Sequence, residues 1–232
     1  MSLSSQQIHV WRAMLAAAPG RMAALADVLD SDEQARAARF VYARDGERYR
    51  AGHGALRRIL ARYLDVPPDR VRYVFGRNGK PALAPELTPG GLRFNLAHSG
   101  DMALVAVAMG REVGVDVEQT RPLLDAERIA ERYFSARERA ALADWPAAER
   151  PAAFFKIWTG KEAFIKATGH GLSLPLDGFS VPATLAPGDS APVSVEGAGP
   201  AWAVRWLEPG PGYAAAVAAE GLSWEVACWQ FE

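Results

Sequence analysis

The sequence predicts an α+β protein built as two halves of similar layout, and three observations predict it. Apolar residues recur at helical spacing from Arg21 to Leu64, then alternate as in strands between Val71 and Glu118. The same succession, helical and then strand-like, returns between Asp125 and Phe231. The junction near Gly110–Glu112 is flanked by strands rather than by a linker, so the halves should pack tightly. The expected division is residues 1–110 and 111–232. A chain of 232 residues suits one large domain or two small ones.

Taken in order, Ile8–Ala13 reads as a first strand and Arg21–Leu29 as a helix. Ser31 reads as an N-cap with Gln34 at the capping-box position, opening a helix that runs on through Phe40, Val41 and Tyr42. Asp45 starts a longer helix carrying Leu56, Ile59, Leu60 and Leu64, which Pro67-Pro68 ends. Strands follow over Val71–Phe75, Gly91–Leu96, Met102–Ala108 and Glu112–Glu118, separated by Asn78-Gly79, Ser99-Gly100 and Gly110. Helices return over Asp125–Phe134, Ser135–Leu142 and Pro151–Thr168. Short strands are expected near Phe179–Val181, Val193–Val195, Ala201–Leu207, Tyr213–Ala218 and Trp224–Phe231, with an exposed loop over Ala186–Pro200.

Composition excludes several classes. Half the residues are hydrophobic and 23% are charged, which is not the composition of a disordered chain. Lys and Arg total 26 against 27 Asp and Glu, so the basic excess of a nucleic-acid binder is missing. The single cysteine, Cys228, cannot form an intramolecular disulfide, and a reducing cytoplasmic setting is expected. No apolar run approaches the ~20 residues of a membrane helix, and no signal peptide is read.

Four segments carry chemistry. In Val113-Gly114-Val115-Asp116-Val117-Glu118 the valines face one side of a strand and Glu112, Gly114, Asp116 and Glu118 the other. Carboxylates two apart on one face repel, and a hard divalent cation such as Mg²⁺ removes that repulsion. Gly114 beside them leaves room for a ligand. In Pro151–Lys166, Phe154, Ile157, Trp158 and Ile165 form the buried stripe, with Glu162 and Lys166 four apart along its margin. Lys161 projects close to the stripe, an odd place for an unpaired ammonium, and Gly160 invites a close approach. Arg77-Asn78-Gly79-Lys80-Pro81 is a cationic turn suited to a phosphate. Phe94-Asn95-Leu96-Ala97-His98-Ser99-Gly100 sets His98 at a strand end, and Arg36, Arg39, Arg44, Arg48 and Arg50 cluster on the early helices. Each segment alone has an ordinary explanation: a solvated strand face, a surface ion pair, a structural histidine.

Taken together in chain order, Gly79-Lys80-Pro81, Phe94–Gly100, Val113–Glu118, Trp158-x-x-Lys161-Glu162-Ala163-Phe164-x-Lys166 and Gly171-Leu172-Ser173-Leu174-Pro175-Leu176 resemble the Sfp-type 4′-phosphopantetheinyl transferases over about Arg36–Val181. The resemblance implies two similar α+β halves packed as a pseudo-dimer, with the active site in the cleft between them. It implies a Mg²⁺-dependent enzyme that moves the phosphopantetheine arm of coenzyme A to a serine of an apo carrier protein and releases 3′,5′-ADP. By matching position, Asp116, Glu118 and Glu162 are implied metal ligands. Glu162 is also the implied general base, and Lys166 is implied to neutralise charge on the pyrophosphate. Lys80, Pro81 and His98 are implied coenzyme A contacts, and Arg44 or Arg48 is implied to hold the 3′-phosphate. Ala97 stands where many members have Ser, and Glu33 where a bacterial-type Lys aligns. A peptidyl, acyl or aryl carrier is the implied partner, in natural product biosynthesis, with no nucleic acid and no membrane. A monomer is expected, because both halves lie in one chain. A carrier-binding module without catalysis and a Mg²⁺-dependent nucleotide hydrolase are the competing classes.

Overall fold

The structure, a computed structural model, describes residues 1–16, 18–88, 90–123, 125–182, 188–193 and 201–232. The first half contains β1 (Gln7–Met14), α1 (Pro19–Ala26), α2 (Ser31–Ala38), α3 (Ala43–Leu64), β2 (Tyr73–Phe75), β3 (Pro81–Leu83), β4 (Leu92–Ser99) and β5 (Met102–Met109). Then come β6 (Val113–Gln119), α4 (Ala126–Tyr133), α5 (Ala136–Asp144), α6 (Arg150–Thr168), β7 (Ser190–Val193), β8 (Trp202–Leu207), β9 (Tyr213–Glu220) and β10 (Glu225–Phe231). The fold is α+β, as expected, with two sheets of matching size, ordered β10-β1-β5-β4 and β6-β9-β8-β7; β2 and β3 form a separate hairpin.

Strand alternation stacks these sheets in layers. Trp11, Ala13, Ala103, Val105 and Val107 face Ala55, Leu56, Ile59 and Leu60 of α3. The opposite side chains of the same strands, Ile8, Val10, Leu104 and Ala106, meet Val113, Val115, Val117 and Val217 of the second sheet. The outer face of that sheet, with Val204, Trp206, Ala216 and Ala218, packs against Ile157, Ala163, Phe164 and Ala167 of α6. The order is helix, sheet, sheet, helix, and each half supplies one long helix and one sheet.

Several elements differ from expectation. β10 returns to the first sheet, where it pairs in parallel with β1, so residues 225–231 build the first half rather than the second. The α2 cap is Asp30, one residue earlier than Ser31: its carboxylate accepts the Glu33 N–H, and the Glu33 carboxylate accepts the Asp30 N–H. Both carboxylates also bind the buried Arg57 of α3, which favours this box over Ser31 and Gln34. α2 stops at Ala38, leaving Phe40, Val41 and Tyr42 exposed before α3. β3 is a further strand beyond those expected, and it pairs antiparallel with β2. Within 186–200, Ser190–Val193 forms a strand with Ala191 and Val193 buried, and residues 194–195 lie outside the described ones.

No strand forms at Phe179–Val181, though Phe179 and Val181 are buried. Their backbone is satisfied by a buried ion pair instead of a ladder. Lys161, fully buried, donates to both Glu138 oxygens at 2.9 and 2.6 Å and to the Phe179 carbonyl at 2.7 Å. Glu138 Oε1 in turn accepts the Val181 N–H at 2.7 Å. Lys161 is therefore paired, and Gly160 admits Trp206 and Val181, each 3.2 Å from where a β-carbon would sit. Lys161→Met should cost about 3–5 kcal/mol by stranding the Glu138 carboxylate. The double change with Glu138→Gln should recover part of that in urea titrations. A single variant as stable as wild type would refute the account.

Candidate active site

The site begins with a helix lying directly on a strand. At Gly114 a β-carbon would stand 2.2 Å from the Ala163 carbonyl oxygen and 2.3 Å from the Ala167 nitrogen. The space Gly114 leaves is thus filled by α6, not by a ligand as its sequence suggested. This contact brings the Asp116 and Glu118 face of β6 to the side of α6 that carries Glu162 and Lys166.

Asp116 is 4% exposed, and its Oδ1 accepts Lys166 Nζ at 2.6 Å. Burial pushes its pKa up to about 7; Lys166 opposes this, while the charges of Glu118 and Glu162 add to it. Burial likewise raises Glu162, again with Lys166 opposing and Glu118 adding. The three carboxylates thus act on one another across the β6–α6 contact. Asp116 Oδ2 is buried without a hydrogen-bond partner. Asp116 Oδ2 is a free hard oxygen donor of the kind Mg²⁺ takes, and Glu118 and Glu162 act on it electrostatically, so the chemistry of these residues suits that ion. Among the described residues no three such side chains stand together as a ready metal cage, and Lys166 is the counter-ion that closes on Asp116.

Glu162 and Lys166 line a cleft of about 300 Å³ whose other wall is the Asn78–Pro81 turn and Asn95 of the first half. That turn clasps the end of α6. Asn78 donates to the Gly169 carbonyl at 2.9 Å, and Gly169 ends the helix in the left-handed conformation. Lys80 Nζ donates to the Ala167 carbonyl and Glu112 Oε2, both at 2.8 Å, and to the Val113 carbonyl at 3.2 Å. Its three N–H groups are thus committed within the protein, so a phosphate at Lys80 has to displace one of these acceptors. Although partial burial works against it, Lys80 and Arg93 hold the Glu112 carboxyl below its usual value.

The remaining cations lie toward α3. His98 is exposed at the end of β4. Partial removal from water, then the charges of His53, Lys166 and Arg48, lower its pKa against the pull of Glu118. Arg48 donates to Asp101 Oδ1 through Nε at 2.9 Å and Nη2 at 2.7 Å. Arg44 is largely exposed, 4.0 Å from Asp45. Glu33 is buried on Arg57 and His53, so it belongs to the scaffold. Sequence reasoning missed Glu138 and gave Asn95 and Ser99 no role; it set Glu112 on the carboxylate face of β6 without naming its partners. Asn95 and Ser99 lay inside the histidine segment, on the strand face opposite His98, and that alternation was the available signal.

A buried aspartate paired with a lysine, two half-buried carboxylates that act on it and further cations around the cleft make a site whose chemistry suits a phosphorylated ligand, on a fold of two α+β halves. The comparisons agree. The family model described as "4'-phosphopantetheinyl transferase superfamily" matches residues 112–218, and the one described as "4'-phosphopantetheinyl transferase, N-terminal" matches residues 16–110. The chain is 38% identical over 231 residues to the 4′-phosphopantetheinyl transferase HetI of Nostoc sp., covering 100% of this chain and 95% of that protein. It is 33% identical over 153 residues to the 4′-phosphopantetheinyl transferase Sfp of Bacillus subtilis, covering 66% of each. It is 30% identical over 159 residues to the human L-aminoadipate-semialdehyde dehydrogenase-phosphopantetheinyl transferase, 64% of this chain and 50% of that one. The chain belongs to the 4′-phosphopantetheinyl transferase family, whose reaction moves the phosphopantetheine arm of coenzyme A to a carrier protein. Among the described residues no helix is long and apolar enough to cross a membrane.

Proposed function

We propose that this chain carries out that transfer with Glu162 as general base, Lys166 as the charge-neutralising cation, and Asp116, Glu118 and Glu162 as the residues that hold Mg²⁺. The observation that carries the reading is the meeting of Glu162 and Lys166 with the buried Asp116 across the β6–α6 contact. The division into halves 1–110 and 111–232, with the cleft between them, belongs to the same reading, β10 excepted.

The reaction is an in-line displacement at the coenzyme A phosphate that bears pantetheine. The carrier serine oxygen forms a bond to that phosphorus, the bond to the bridging oxygen breaks, and 3′,5′-ADP leaves. The serine proton needs an acceptor within ~2.6–3.2 Å, and a carboxylate whose pKa is raised by burial is a stronger base than a free one. Glu162 fits that need. Lys166 brings positive charge to the bridging oxygen once it exchanges Asp116 for the pyrophosphate. Bound Mg²⁺ would supply further neutralisation of the pyrophosphate. Lys80, Pro81 and His98 are assigned to the phosphates. Arg44, exposed in the first turn of α3, and Arg48 are assigned to the 3′-phosphate, since a helix N-terminus favours an anion. Coenzyme A and an apo carrier are the substrates, a cytoplasmic monomer is the working form, and natural product assembly is the setting.

The test is 3′,5′-ADP release with a panel of apo peptidyl, acyl and aryl carriers, with and without Mg²⁺. Serine-dependent, Mg²⁺-dependent release is expected. Release with no carrier present would mark a nucleotide hydrolase, and binding without release a non-catalytic module. Coenzyme A at a hundredfold excess over Kd should stabilise by ~2.7 kcal/mol, or about 5–10 °C in Tm for a chain of this size. Mg²⁺ should raise Tm further, and no shift at millimolar coenzyme A would count against the whole reading.

A further inference from the structure

We propose that Asn95 and Ser99 are positioning residues of the transfer: from the first half, they fix the carboxylate strand β6 at two points that bracket Asp116. The inference rests on the reading that Asp116 and Glu118 belong to the transfer site.

The two sheets meet where β4 lies beside β6, yet among the described residues no backbone ladder joins these strands. Side chains make the seam instead. Asn95 Oδ1, buried, accepts the Val115 N–H at 2.9 Å. Four residues along β4, Ser99 Oγ accepts the Gln119 N–H at 3.1 Å and donates to Glu118 Oε2 at 2.7 Å. Asn95 and Val115 are separated by 20 residues, and so are Ser99 and Gln119. The strands therefore run side by side in the same direction and in one register. Asn95, Ala97 and Ser99 share a face of β4, and Ala97 is buried between the sheets, so the two polar side chains reach β6 past a small residue.

The bonds fall one residue before Asp116 and directly on Glu118 and Gln119. The hydroxyl of Ser99 both holds the β6 backbone and orients a site carboxylate. Without it, the Gln119 N–H loses its partner and Glu118 is free to rotate away from the β6–α6 contact. Neither Asn95 nor Ser99 exchanges a proton with substrate in this scheme; both act through Asp116 and Glu118.

The experiment compares Ser99→Ala and Ser99→Thr with wild type, using the full chain. Three quantities are followed: kcat and KM for each substrate, Tm, and hydrogen exchange at the Gln119 and Val115 amides. Ser99→Ala should lower kcat about tenfold to a hundredfold, the scale of one hydrogen bond to a charged acceptor, with KM for the carrier unchanged. Its Tm should stay near wild type, and Gln119 exchange should quicken while Val115 stays protected by Asn95. Ser99→Thr, which keeps the hydroxyl, should restore most of kcat. Unchanged kcat in Ser99→Ala overturns the proposal, as does a Thr variant no better than Ala. Gln119 exchange needs no substrate, so it judges the seam even where the wild type releases no 3′,5′-ADP: quickening supports the seam, and unaltered exchange overturns it.

Discussion

Asp116→Asn should abolish transfer while making the metal-free protein more stable. The carboxylate is buried, one oxygen has no hydrogen-bond partner, and burial pushes its pKa up to about 7. In the unfolded chain the same group titrates near 3.9, an ordinary aspartate value of about that size. Between these values the folded protein holds a proton that the unfolded chain releases. The stabilisation is therefore full below about pH 4 and lost as pH rises through about 7. At pH 8 the wild type carries a desolvated charge that Lys166 only partly offsets. Asparagine keeps the shape and still offers Lys166 an oxygen, but removes the charge. The gain at pH 8 should be on the order of 1–4 kcal/mol, shrinking toward pH 5. Denaturant titrations of the chelator-treated proteins at the two pH values measure it. A variant with wild-type turnover at saturating Mg²⁺ would remove Asp116 from the site, and an unchanged pH slope would remove the buried-charge account.

Glu162→Gln and Lys166→Ala should fail differently. Glutamine preserves the shape of Glu162 and loses its charge and basicity. Turnover should fall about 10²–10⁴-fold, the range of a lost general base. Coenzyme A should bind almost normally, because Asp116 and Glu118 remain. Lys166→Ala should weaken both coenzyme A binding and turnover, since in the proposed scheme its charge faces the pyrophosphate in the ground and transition states alike. It should also destabilise the metal-free fold, because Asp116 then has no counter-ion. Calorimetric affinities and single-turnover rates separate the two. If Glu162→Gln loses coenzyme A binding while turnover at saturation survives, Glu162 is mainly a metal ligand and the base lies elsewhere.

Much of this site was legible because strand and helix periods are local. Alternation alone set Asp116 and Glu118 on one face of β6, and the 3.6-residue period set Glu162 and Lys166 on one margin of α6. Gly114 and Gly160 were legible as points of close approach, but what approached was not: a glycine reports that room is needed, not whether a helix backbone or a ligand takes it. The irregular segment at Phe179–Val181 misread as a strand because its alternation matched, while its hydrogen bonds came from Lys161 and Glu138.

By itself, the sequence determined the α+β class, the two-half order of elements, and the identity of the charged groups that meet in the site. Only the tertiary structure decided which charge neutralises which. Lys161 pairs with Glu138, 23 residues away, Lys80 with Glu112 at 32, and Lys166 with Asp116 at 50. The same holds for the seam, where β4 grips β6 across 20 residues, and for β10, which crosses the whole chain to pair with β1. The reason is physical. A side chain's face follows from its own strand or helix, whereas a buried charge takes whichever partner the packed layers bring within about 3 Å, and that choice belongs to the assembled fold.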